Sequence, residues 1–566
     1  MANKAEDVKA RYGDPFRVRQ VIERAASQGM EALSEDDVFM CKWIGLYTHR
    51  HEPAYFMLRT KQPNGCITPD QLETIANIAE EKNRGFADIT TRQDIQLHWI
   101  HVSQAADILR ELEAAGIATL GACGDIARNV VGCPVAGVDR EELFDPGSVV
   151  EELNAFFLGN PAFANLPRKY KIGVSACRTH CTHPEIQCVG LNAAPAPAGA
   201  GDEPGFDLRV GGGLSTQPKL SQRLGVFIRR GEAVEVIRHL TELWRDTPEY
   251  REKRHHARLK FLVADWGVAR VRAALEERVG RRLTDAASDF QEPHDAFRDH
   301  LGAHAQRQPG LFYIGAPVLI GRITSPQMRR VAELSRRYAD GRSIRLTTRQ
   351  NLLLLNVPEA NVENVLGALA EAELSINAHP IRRSMVTCTG TEFCKLAITE
   401  TKARSRQIVE YLERRVPLEE PLRLHLTGCP NSCAQYQIAN IGLLGAKTKV
   451  DGQIVDAYDV FVGGRMGQGA QFNHAVARRI PATDVAKRLE RLLVEYRARR
   501  RPREAFNDWC ARAGDEAVKD LLSEEAAHPL ADVARTSAPS DEPAPGGPGE
   551  PRSGESSPGA TGGPGA

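Results

Sequence analysis

The chain has 566 residues, enough for about three domains of ordinary size, and 42% of them are hydrophobic and 26% charged, as in a globular protein. No apolar run approaches the ~18 residues of a membrane-spanning helix, so the sequence predicts a protein outside the membrane. The formal net charge is +0, with 73 basic and 73 acidic residues, so the overall charge gives no indication of nucleic-acid binding.

The N-terminal residues 1–11 are charged throughout and do not resemble a signal peptide. Twelve cysteines without an export signal predict a reducing, cytoplasmic location and thiolate or metal chemistry rather than disulfides. Residues 250–260 and 496–503 form two basic clusters. Such runs are usually solvated helix faces, and docking of an acidic partner is the alternative.

Along the chain, strands rich in Val, Ile and Leu alternate with amphipathic helices. Strands are predicted over 95–100 and 352–357, and helices over 69–80 and 326–338. This alternation predicts an α+β (α/β) fold. The Ala-, Pro- and Gly-rich residues 193–205 predict a surface loop. The Pro-, Gly- and Ser-rich residues from about 536 onward cannot bury enough apolar surface to fold and predict a disordered tail.

The chain also contains an internal repeat, with motifs of the first half recurring about 250 residues later. The matched segments are 65–68 with 321–324, 88–93 with 345–350, 128–133 with 383–388, 175–181 with 427–433, and 207–212 with 459–464. The last two pairs share an offset of 252, which indicates gene duplication rather than chance similarity. Two such halves are expected to enclose a site at their junction.

Four cysteines of the second copy are the most informative residues. Cys388 and Cys394 form a C-x5-C pair, and Cys429 and Cys433 form a C-x3-C pair. This spacing is not that of a zinc finger. Four thiolates are what a cubane iron–sulfur cluster needs, and loops rich in Gly, Thr, Ser and Asn let backbone N–H groups approach its sulfurs. The alternative is four unrelated buried thiols.

These residues resemble the assimilatory sulfite and nitrite reductases that carry sirohaem bridged to a 4Fe–4S cluster. The resemblance covers about residues 15–510, and its most specific element is 427–433, Thr-Gly-Cys-Pro-Asn-Ser-Cys. The chain departs from the family at Asn440, where an acidic residue is usual. The resemblance implies that the four cysteines hold the cluster and that Cys433 also ligates the sirohaem iron.

The resemblance further implies a set of cofactor-binding residues, namely Arg92, Gln96, Arg128, Asn431 and Cys433. Sirohaem carries eight carboxylates, so its binding site needs many Arg and Lys donors. For Arg92, the alternative is a surface residue at a strand end.

Four cationic residues match the substrate site of the family, namely Arg59, Arg128, Lys169 and Lys171. A small anion that loses its oxygens as water needs positive charge and proton donors. Lys169 and Lys171 would share one face of a predicted strand, with Arg168 and Tyr170 facing away.

The substrate is inferred from the same motifs. Lys-x-Lys at 169–171 and the segment 119–125 resemble sulfite reductases, whereas 62–65, 462–465 and the region of 177–181 resemble nitrite reductases. Because substrate choice depends on the residues that contact the substrate, sulfite is the predicted substrate and nitrite the alternative. More remote alternatives are a non-catalytic iron–sulfur or tetrapyrrole protein, such as a redox sensor, and an enzyme of corrin biosynthesis on the same fold.

Two further sets of residues carry hypotheses. Cys177 and Cys181 repeat the C-x3-C pair in the first copy, where Cys133 is the third thiol at a matching place. The residue that corresponds to Cys394 is Asp139, so this half is predicted to bind no iron–sulfur cluster. Some sulfite reductases have a Tyr–Cys thioether beside the sirohaem, and Tyr47 and Cys123 match its positions.

The resemblance implies a duplicated fold with ferredoxin-like subdomains around a central cofactor site. The expected segments are 1–135, a ferredoxin-like half-domain with an N-terminal extension; 136–300, an α/β domain for sirohaem and substrate; 301–383, a second ferredoxin-like half-domain; 384–515, the 4Fe–4S and sirohaem domain; and 516–566, a C-terminal extension. No Gly-x-Gly-x-x-Gly follows a strand, so electrons must come from another protein. The resemblance names ferredoxin as that donor, and a monomer is expected.

Overall fold

The computed structural model of the chain describes residues 3–177, 179–288, 290, 298–420 and 422–524. Most of the predicted C-terminal extension over 516–566, with its disordered part from about 536, lies outside the described residues. Among the described residues, no helix is both long and apolar enough to cross a membrane.

The first half of the chain contains, among its described residues, nine α-helices and ten β-strands. The helices are α1 (Lys4–Tyr12), α2 (Val18–Gln28), α3 (Glu35–Met40), α4 (Pro69–Lys82), α5 (Val102–Ala114), α6 (Gly147–Phe157), α7 (Ala233–Arg245), α8 (Glu249–Glu252) and α9 (Leu259–Val279). The strands are β1 (Leu46–Thr48), β2 (Tyr55–Arg59), β3 (Cys66–Ile67), β4 (Phe86–Ile89), β5 (Ile95–His101), β6 (Val131–Gly132), β7 (Ile172–Ser175), β8 (Val189–Ala194), β9 (Gly205–Val210) and β10 (Gln222–Ile228).

The second half contains, within the part that the structure describes, eight α-helices and ten β-strands. The helices are α10 (Ser325–Tyr338), α11 (Val362–Glu371), α12 (Pro380–Ser384), α13 (Gly390–Phe393), α14 (Lys402–Leu412), α15 (Val485–Arg499), α16 (Phe506–Ala513) and α17 (Asp515–Leu521). The strands are β11 (Gly302–Ala305), β12 (Leu311–Ala316), β13 (Arg322–Thr324), β14 (Ile344–Leu346), β15 (Leu352–Pro358), β16 (Met385–Thr387), β17 (Leu424–Thr427), β18 (Ile441–Val450), β19 (Gln453–Val462) and β20 (His474–Pro481).

The repeat predicted from the sequence recurs in the local structure of α4 and α10. Each helix begins after a threonine, Thr68 or Thr324, whose hydroxyl accepts from the backbone N–H of a glutamine three residues on. The side chain of that glutamine, Gln71 or Gln327, accepts from the N–H of the threonine, which completes a capping box at each helix start. The predicted helices and strands, the α+β class and the duplication are therefore confirmed.

The two halves exchange edge strands. One sheet has the order β1-β2-β5-β4-β13 and a second has the order β11-β12-β15-β14-β3. In the first sheet the second-half strand β13 pairs with β4, with Arg322 opposite Asp88. In the second sheet the first-half strand β3 pairs with β14, with Ile67 opposite Ile344. Each ferredoxin-like sheet is thus completed by the other half of the chain.

The other two sheets place the loops that carry chemistry. Their orders are β10-β9-β8-β7-β6 and β16-β17-β18-β19-β20. In each, three neighbouring strands are parallel, β6 with β7 and β8, and β16 with β17 and β18. The carboxyl ends of parallel strands meet at one edge of a sheet, where ligands usually bind. Both cysteine sets follow these strand ends.

One glutamine joins each such sheet to a strand in the other half of the chain. Gln93 Nε2 donates to the carbonyls of Gly132 (3.1 Å) and Leu346 (2.9 Å), and its Oε1 accepts from the N–H of Gly132 (3.0 Å). Gln350 makes the matching bonds, from Nε2 to Ile89 O (2.8 Å) and Thr387 O (3.0 Å) and from Thr387 N–H to Oε1 (2.8 Å). The pseudo-symmetry therefore extends to single buried hydrogen bonds.

Candidate active site

The four predicted cluster ligands come together at the ends of β16 and β17. Cys388 directly follows β16, and Cys394 ends the short helix α13. Cys429 lies two residues beyond β17, and Cys433 ends the same loop and is exposed. Because β16 and β17 are adjacent parallel strands, the two cysteine loops lie side by side.

Backbone and side-chain donors already point at two of these sulfurs. The N–H of Gly428 donates to Cys388 Sγ at 3.3 Å, and Asn431 Nδ2 donates to Cys429 Sγ at 3.6 Å. A Cβ at Gly428 would lie only 3.0 Å from the carbonyl oxygen of Thr399. The absence of a side chain at Gly428 therefore lets its backbone pack closely against Thr399. Donors of this kind are typical of iron–sulfur sites.

The thiols also act on one another. Burial and, to a smaller extent, the nearby Cys433 together raise the pKa of Cys388 to about 12. Burial likewise raises the pKa of Cys394, and Cys433 and Cys429 add to that shift. The sulfurs therefore lie close enough together for their charges to interact. A bound metal centre would supply the positive charge that their thiolate forms require.

Residues of the first half contact the cysteine loops directly. Thr91 Oγ1 donates to the carbonyl of Cys433 at 3.0 Å. Arg50 Nη1 donates to the carbonyls of Ala397 (2.6 Å) and Cys394 (3.1 Å). The site is therefore built at the junction of the two halves, as the repeat predicted.

Arg59, Gln96 and Arg128 are held within the protein near this junction. Arg59 ends β2 and lies opposite Gln96 on β5. The Gln96 side-chain oxygen accepts from Arg59 Nε at 2.9 Å and Nη2 at 2.5 Å. Arg128 Nε and Nη2 donate to the carbonyl of Gly124 at 3.1 and 2.8 Å. Both guanidinium groups are therefore fixed in position before any ligand binds.

Arg92 is buried and hydrogen-bonded within the protein, whereas the sequence left open that it lay on the surface. Its guanidinium donates to Gln187 Oε1 at 3.0 Å and also to the carbonyl of Asn129. Its Nε is buried without a hydrogen-bond partner among the described residues. The surface alternative for Arg92 is therefore wrong, and its contact with the macrocycle stays a prediction.

Lys169 and Lys171 flank the buried Tyr170 just before β7, so they do not lie on a regular strand as expected. The strand begins at Ile172, and Tyr170 forms only an isolated parallel bridge with Ala127. Tyr170 packs into the apolar core and the alternation continues through this bridge. The lysines therefore still share one side of the segment.

The electrostatics place both lysines within one cationic site. Burial lowers the pKa of Lys169 to about 7, Arg258 adds to that shift, and Cys433 opposes it. Burial also lowers the pKa of Lys171, and Arg92 and Lys169 lower it further. These buried cations repel one another, so an anion among them would be strongly favoured.

Arg59 at the end of β2 is half-buried and lies in the same cationic surroundings. Burial lowers its pKa, Asp94 opposes the shift, Arg128 adds to it, and Cys433 opposes it. Arg59, Arg128, Lys169 and Lys171, predicted as the substrate site, thus act electrostatically on one another or on Cys433. The structure brings this set and the cluster cysteines into one region.

Three further charged residues of this site were missed. Arg258 is 7% exposed, and its Nη2 donates to Cys188 Sγ at 3.3 Å. Lys61 is 4% exposed, and burial lowers its pKa to about 8. Asp94 is 2% exposed among these cations, and burial raises its pKa to about 6 against their opposing effect. Arg258 falls in the basic cluster over 250–260 and Asp94 follows Arg92 closely, but neither signal indicates this site, because most of the contacts that build it are remote in sequence.

The basic cluster at 250–260 is therefore not simply a solvated face, and the docking interpretation of this run is wrong for its buried members. Arg254 pairs with the buried Asp125 at 2.7 Å, and Arg168 contacts the same carboxylate at 3.2 Å. Lys260 is buried as well. Arg258 and Lys260 are thus buried, whereas Lys253 and His255 of the same run are exposed.

Tyr47 and Cys123 lie on neighbouring segments. Tyr47 is on β1, and the Arg59 guanidinium lies 5.7 Å from its ring centroid. The loop of Cys123 is joined to the chain before β1 by a bond from Gly121 N–H to Trp43 O of 2.7 Å. A thioether between the two side chains stays a prediction.

The donor set fits two kinds of cofactor. Four converging thiols with N–H donors suit an iron–sulfur cluster. A ring of buried Arg and Lys around them suits a ligand with many carboxylates, because charge-assisted bonds to carboxylates offset the burial of both partners.

Comparisons with known proteins agree with this geometry. The model "Nitrite and sulphite reductase 4Fe-4S domain" matches residues 123–283 and 380–530, and "Nitrite/Sulfite reductase ferredoxin-like half domain" matches 48–115 and 304–372. The chain is 35% identical to an assimilatory ferredoxin-dependent nitrite reductase of Haloferax mediterranei, over 92% of this chain and 93% of the relative.

Two other proteins share the same sequence identity with the chain. A protein of Mycolicibacterium paratuberculosis named "Sulfite reductase [ferredoxin] 1" is 35% identical over 91% of this chain and 96% of its own length. The solved structure of the Mycobacterium tuberculosis NirA protein superposes with a TM-score of 0.86 at 35% identity, covering 91% of this chain and 97% of that one. The chain therefore belongs to the nitrite and sulphite reductase family of oxidoreductases, whose cofactors are a 4Fe–4S cluster and sirohaem.

Proposed function

We propose that the chain is an assimilatory sulfite reductase that reduces sulfite to sulfide with six electrons. The observation that carries this proposal is the pair Lys169 and Lys171, which stand on one side of a buried segment and act electrostatically on each other. Sulfite is a dianion when fully ionised, whereas nitrite is a monoanion. Two neighbouring lysines favour the dianion more strongly than one lysine does.

The predicted metal ligands are Cys388, Cys394, Cys429 and Cys433, with Cys433 shared with the sirohaem iron. When bound, the cluster and sirohaem supply electrons one at a time to the substrate. Arg59, Arg92, Arg128 and Gln96 would hold carboxylates of the macrocycle or oxygens of the anion, as the resemblance implies. Their fixed guanidinium groups would orient the anion without reorganisation during the reaction.

The lysines would also supply protons. Each oxygen lost from sulfite leaves as water and needs two protons. Burial lowers the pKa of Lys169 to about 7, close to the range in which a general acid both holds and releases a proton near neutral pH. We assign Lys169 and Lys171 as the donors to the departing oxygens, with Arg59 and Arg128 binding the anion.

Nitrite reduction is the second candidate, and it too rests on specific observations. The chain is as similar to the Haloferax protein named as a nitrite reductase as to the mycobacterial protein named as a sulfite reductase. In addition, Gln62 and Asn64, from the nitrite-reductase-like segment 62–65, are buried. The carbonyl of Gln62 accepts from Asn129 Nδ2 at 2.6 Å, so this segment lies beside the loop of Arg128.

We propose ferredoxin as the electron donor, since relatives of both names are described as ferredoxin-dependent. All twelve cysteines are free thiols, which supports a reducing, cytoplasmic location. A monomer stays the predicted oligomeric state.

The deciding experiment compares kcat/KM for sulfite and for nitrite on one holoenzyme preparation, with a reduced viologen as donor. We expect a ratio that favours sulfite in the wild type. Lys171→Asn should lower kcat/KM for sulfite by about tenfold or more, since a charged hydrogen bond contributes about 1.5–3 kcal/mol. It should affect nitrite less.

Lys447→Asn is the matched control, because Lys447 pairs with Asp456 on the β18–β19 hairpin and is half-exposed. It should leave both activities unchanged. A wild-type ratio that favours nitrite would replace the proposal with nitrite reduction. Loss of both activities in equal measure in Lys171→Asn would argue that Lys171 does not select the substrate.

A further inference from the structure

The first half of the chain holds a second cluster of metal-binding side chains, away from the four cysteines described above. Cys133 Sγ lies 3.9 Å from Cys177 Sγ, and Cys177 Sγ lies 3.6 Å from Cys181 Sγ. Cys181 Sγ lies 3.0 Å from His300 Nε2. The ligand atoms of Cys133, Cys181 and His300 all lie within 4.8 Å of one another. Three thiols and one imidazole therefore form one cluster, in which Cys177 is joined to His300 through Cys181, and an oxygen of Asp139 also lies within 4.8 Å of the sulfurs of Cys133 and Cys177.

This cluster occupies the pseudo-symmetric counterpart of the cysteine loops in the second half. Cys133 directly follows β6, and Cys177 lies two residues beyond β7, as Cys388 and Cys429 follow β16 and β17. Thr348 Oγ1 donates to the carbonyl of Cys181 at 3.0 Å, which repeats the contact between Thr91 and Cys433. The backbone frame of a ligand-binding site is thus present in both halves.

Asp139, which stands in place of the fourth cysteine, is already engaged. Arg298 donates to both its carboxylate oxygens, at 2.7 and 3.0 Å. The fourth donor comes instead from His300, which is buried and lies close to the start of β11. Replacement of a cysteine by this histidine changes the donor set from four thiols to three thiols and one imidazole.

The separations between the ligand atoms decide which metal centre fits. Tetrahedral zinc with Zn–S bonds of about 2.3 Å requires sulfurs about 3.8 Å apart. The observed 3.9 and 3.6 Å bracket this value. A cubane cluster instead holds each thiolate on a different iron atom and so keeps the sulfurs further apart. The geometry therefore favours a single ion.

We propose that Cys133, Cys177, Cys181 and His300 bind one zinc ion, in a closed site with no position open for substrate. A set of three cysteines and one histidine is a usual donor set for structural zinc. The ion would fasten the loops after β6 and β7 to the segment that leads into β11, and so to the second half of the chain. Its role is structural and does not depend on whether sulfite or nitrite is the substrate.

The test measures zinc and iron together in the purified holoenzyme by inductively coupled plasma mass spectrometry. We expect about one zinc per chain in the wild type. His300→Ala should lose most of the zinc and keep the iron content, whereas His300→Cys should retain the zinc because it restores a fourth ligand. Cys510→Ala is the matched control, since Cys510 is a buried cysteine of the apolar core of the second half.

A second measurement does not depend on any variant folding. X-ray absorption at the zinc edge of the wild-type enzyme should show three sulfur neighbours at about 2.3 Å and one nitrogen at about 2.0 Å. The proposal is overturned if the wild type contains no zinc, if peptide mapping finds a Cys177–Cys181 disulfide, or if additional iron instead of zinc disappears with His300. Zinc that persists in full in His300→Ala would also overturn this ligand set.

Discussion

At the scale of single residues, the site is defined by an excess of buried positive charge. Cationic side chains enter it from β2, from the turn between β4 and β5, from the segment before β7 and from the residue before α9, and Asp94 is the buried acid among them. Burial costs each of these charges free energy, and Asp94 offsets only part of that cost. Because the cations outnumber this one acid, an anionic ligand would offset more of the cost, and the site is suited to bind one.

Arg258 is the clearest case, since it acts on both Lys169 and Lys171, which we propose as proton donors. Arg258→Ala should lower kcat/KM for the substrate anion by about tenfold or more, because a charged hydrogen bond contributes about 1.5–3 kcal/mol. Steady-state kinetics with a viologen donor would measure this loss, and sirohaem absorbance would be recorded for each variant.

Arg270→Ala is the matched control, since Arg270 lies over the ring of Trp266 at 4.1 Å and takes no part in the site. Arg258→Lys should recover part of the activity if charge is what matters. Full activity in Arg258→Ala would show that its position in the site is incidental.

The residues that could be predicted are those whose partners are near in sequence or fall in a recurring motif. Cys429 and Cys433 are four residues apart and follow one strand, so spacing alone indicates a shared ligand. Arg258 and Lys61 carry no such signal. Each reaches the site only because the fold brings its segment against residues that are remote in the chain.

At the scale of secondary-structure elements, the exchanged strands are reinforced by a buried ionic group. Asp88 on β4 accepts from Arg322 Nε on β13 at 2.9 Å and from His98 Nε2 at 3.0 Å. Lys402 Nζ at the start of α14 lies 3.5 Å from the same carboxylate. One carboxylate of the first half thus pairs with two cations of the second half.

This group predicts a pH dependence of stability. Burial alone would raise the pKa of Asp88, but Lys402, Arg322 and His98 together hold it far below its ordinary range. A lowered pKa means that the folded state prefers the carboxylate, so the stabilisation is full above the unfolded value of about 3.9 and is lost as the pH falls below it.

Asp88→Asn should therefore lower the free energy of unfolding by about 3–5 kcal/mol between pH 5 and 8, since it removes the carboxylate beside the buried Lys402 and leaves Arg322 with Glu392 alone. Below pH 4 the difference from the wild type should shrink by about 1.4 kcal/mol per pH unit. Urea unfolding across this pH range measures both effects. Asp107→Asn, at an exposed surface pair, is the control, and a difference that stays constant down to pH 3 would contradict the assignment.

The elements themselves could largely be predicted, but their partners could not. The helix over Pro69–Lys82 follows from a threonine cap, a proline at its start and apolar residues at helical spacing. The pairing of β3 with β14 does not follow, because two strands of two and three residues carry no register information. The sequence repeat predicts that the chain contains two copies of one unit, but it does not predict that the copies exchange the strands β3 and β13.

At the scale of the whole molecule, the net charge is zero, so recognition of a partner depends on the local arrangement of charged and apolar residues at the surface. Beside Cys394, Lys395 is exposed and Leu396 is 68% exposed, an unusual position for a large apolar side chain. An apolar residue next to a basic one, beside a predicted cluster ligand, is suited to an acidic electron carrier. In the basic cluster over 496–503, Arg500 already lies 3.3 Å from Glu419.

Lys395→Glu should therefore lower kcat/KM with reduced ferredoxin by about tenfold at low ionic strength, and by less as salt screens the charge. Activity with a reduced viologen should not change, because a small donor does not need the docking surface. Arg497→Glu, at an exposed residue of the other basic cluster, is the matched control. If Arg497→Glu impaired the ferredoxin reaction and Lys395→Glu did not, docking would belong to that cluster.

The exchange of edge strands has a consequence for synthesis of the chain on the ribosome. When the first half leaves the exit tunnel, β4 lacks its neighbour β13 (Arg322–Thr324). At the same stage β3 has no strand to pair with, because β14 (Ile344–Leu346) has not yet been translated. Unpaired strand edges are sites of aggregation, and late pairing between distant segments slows folding. Neither half can close its ferredoxin-like sheet alone, so the nascent first half has to be kept from aggregating, as chaperones do, until translation reaches the second.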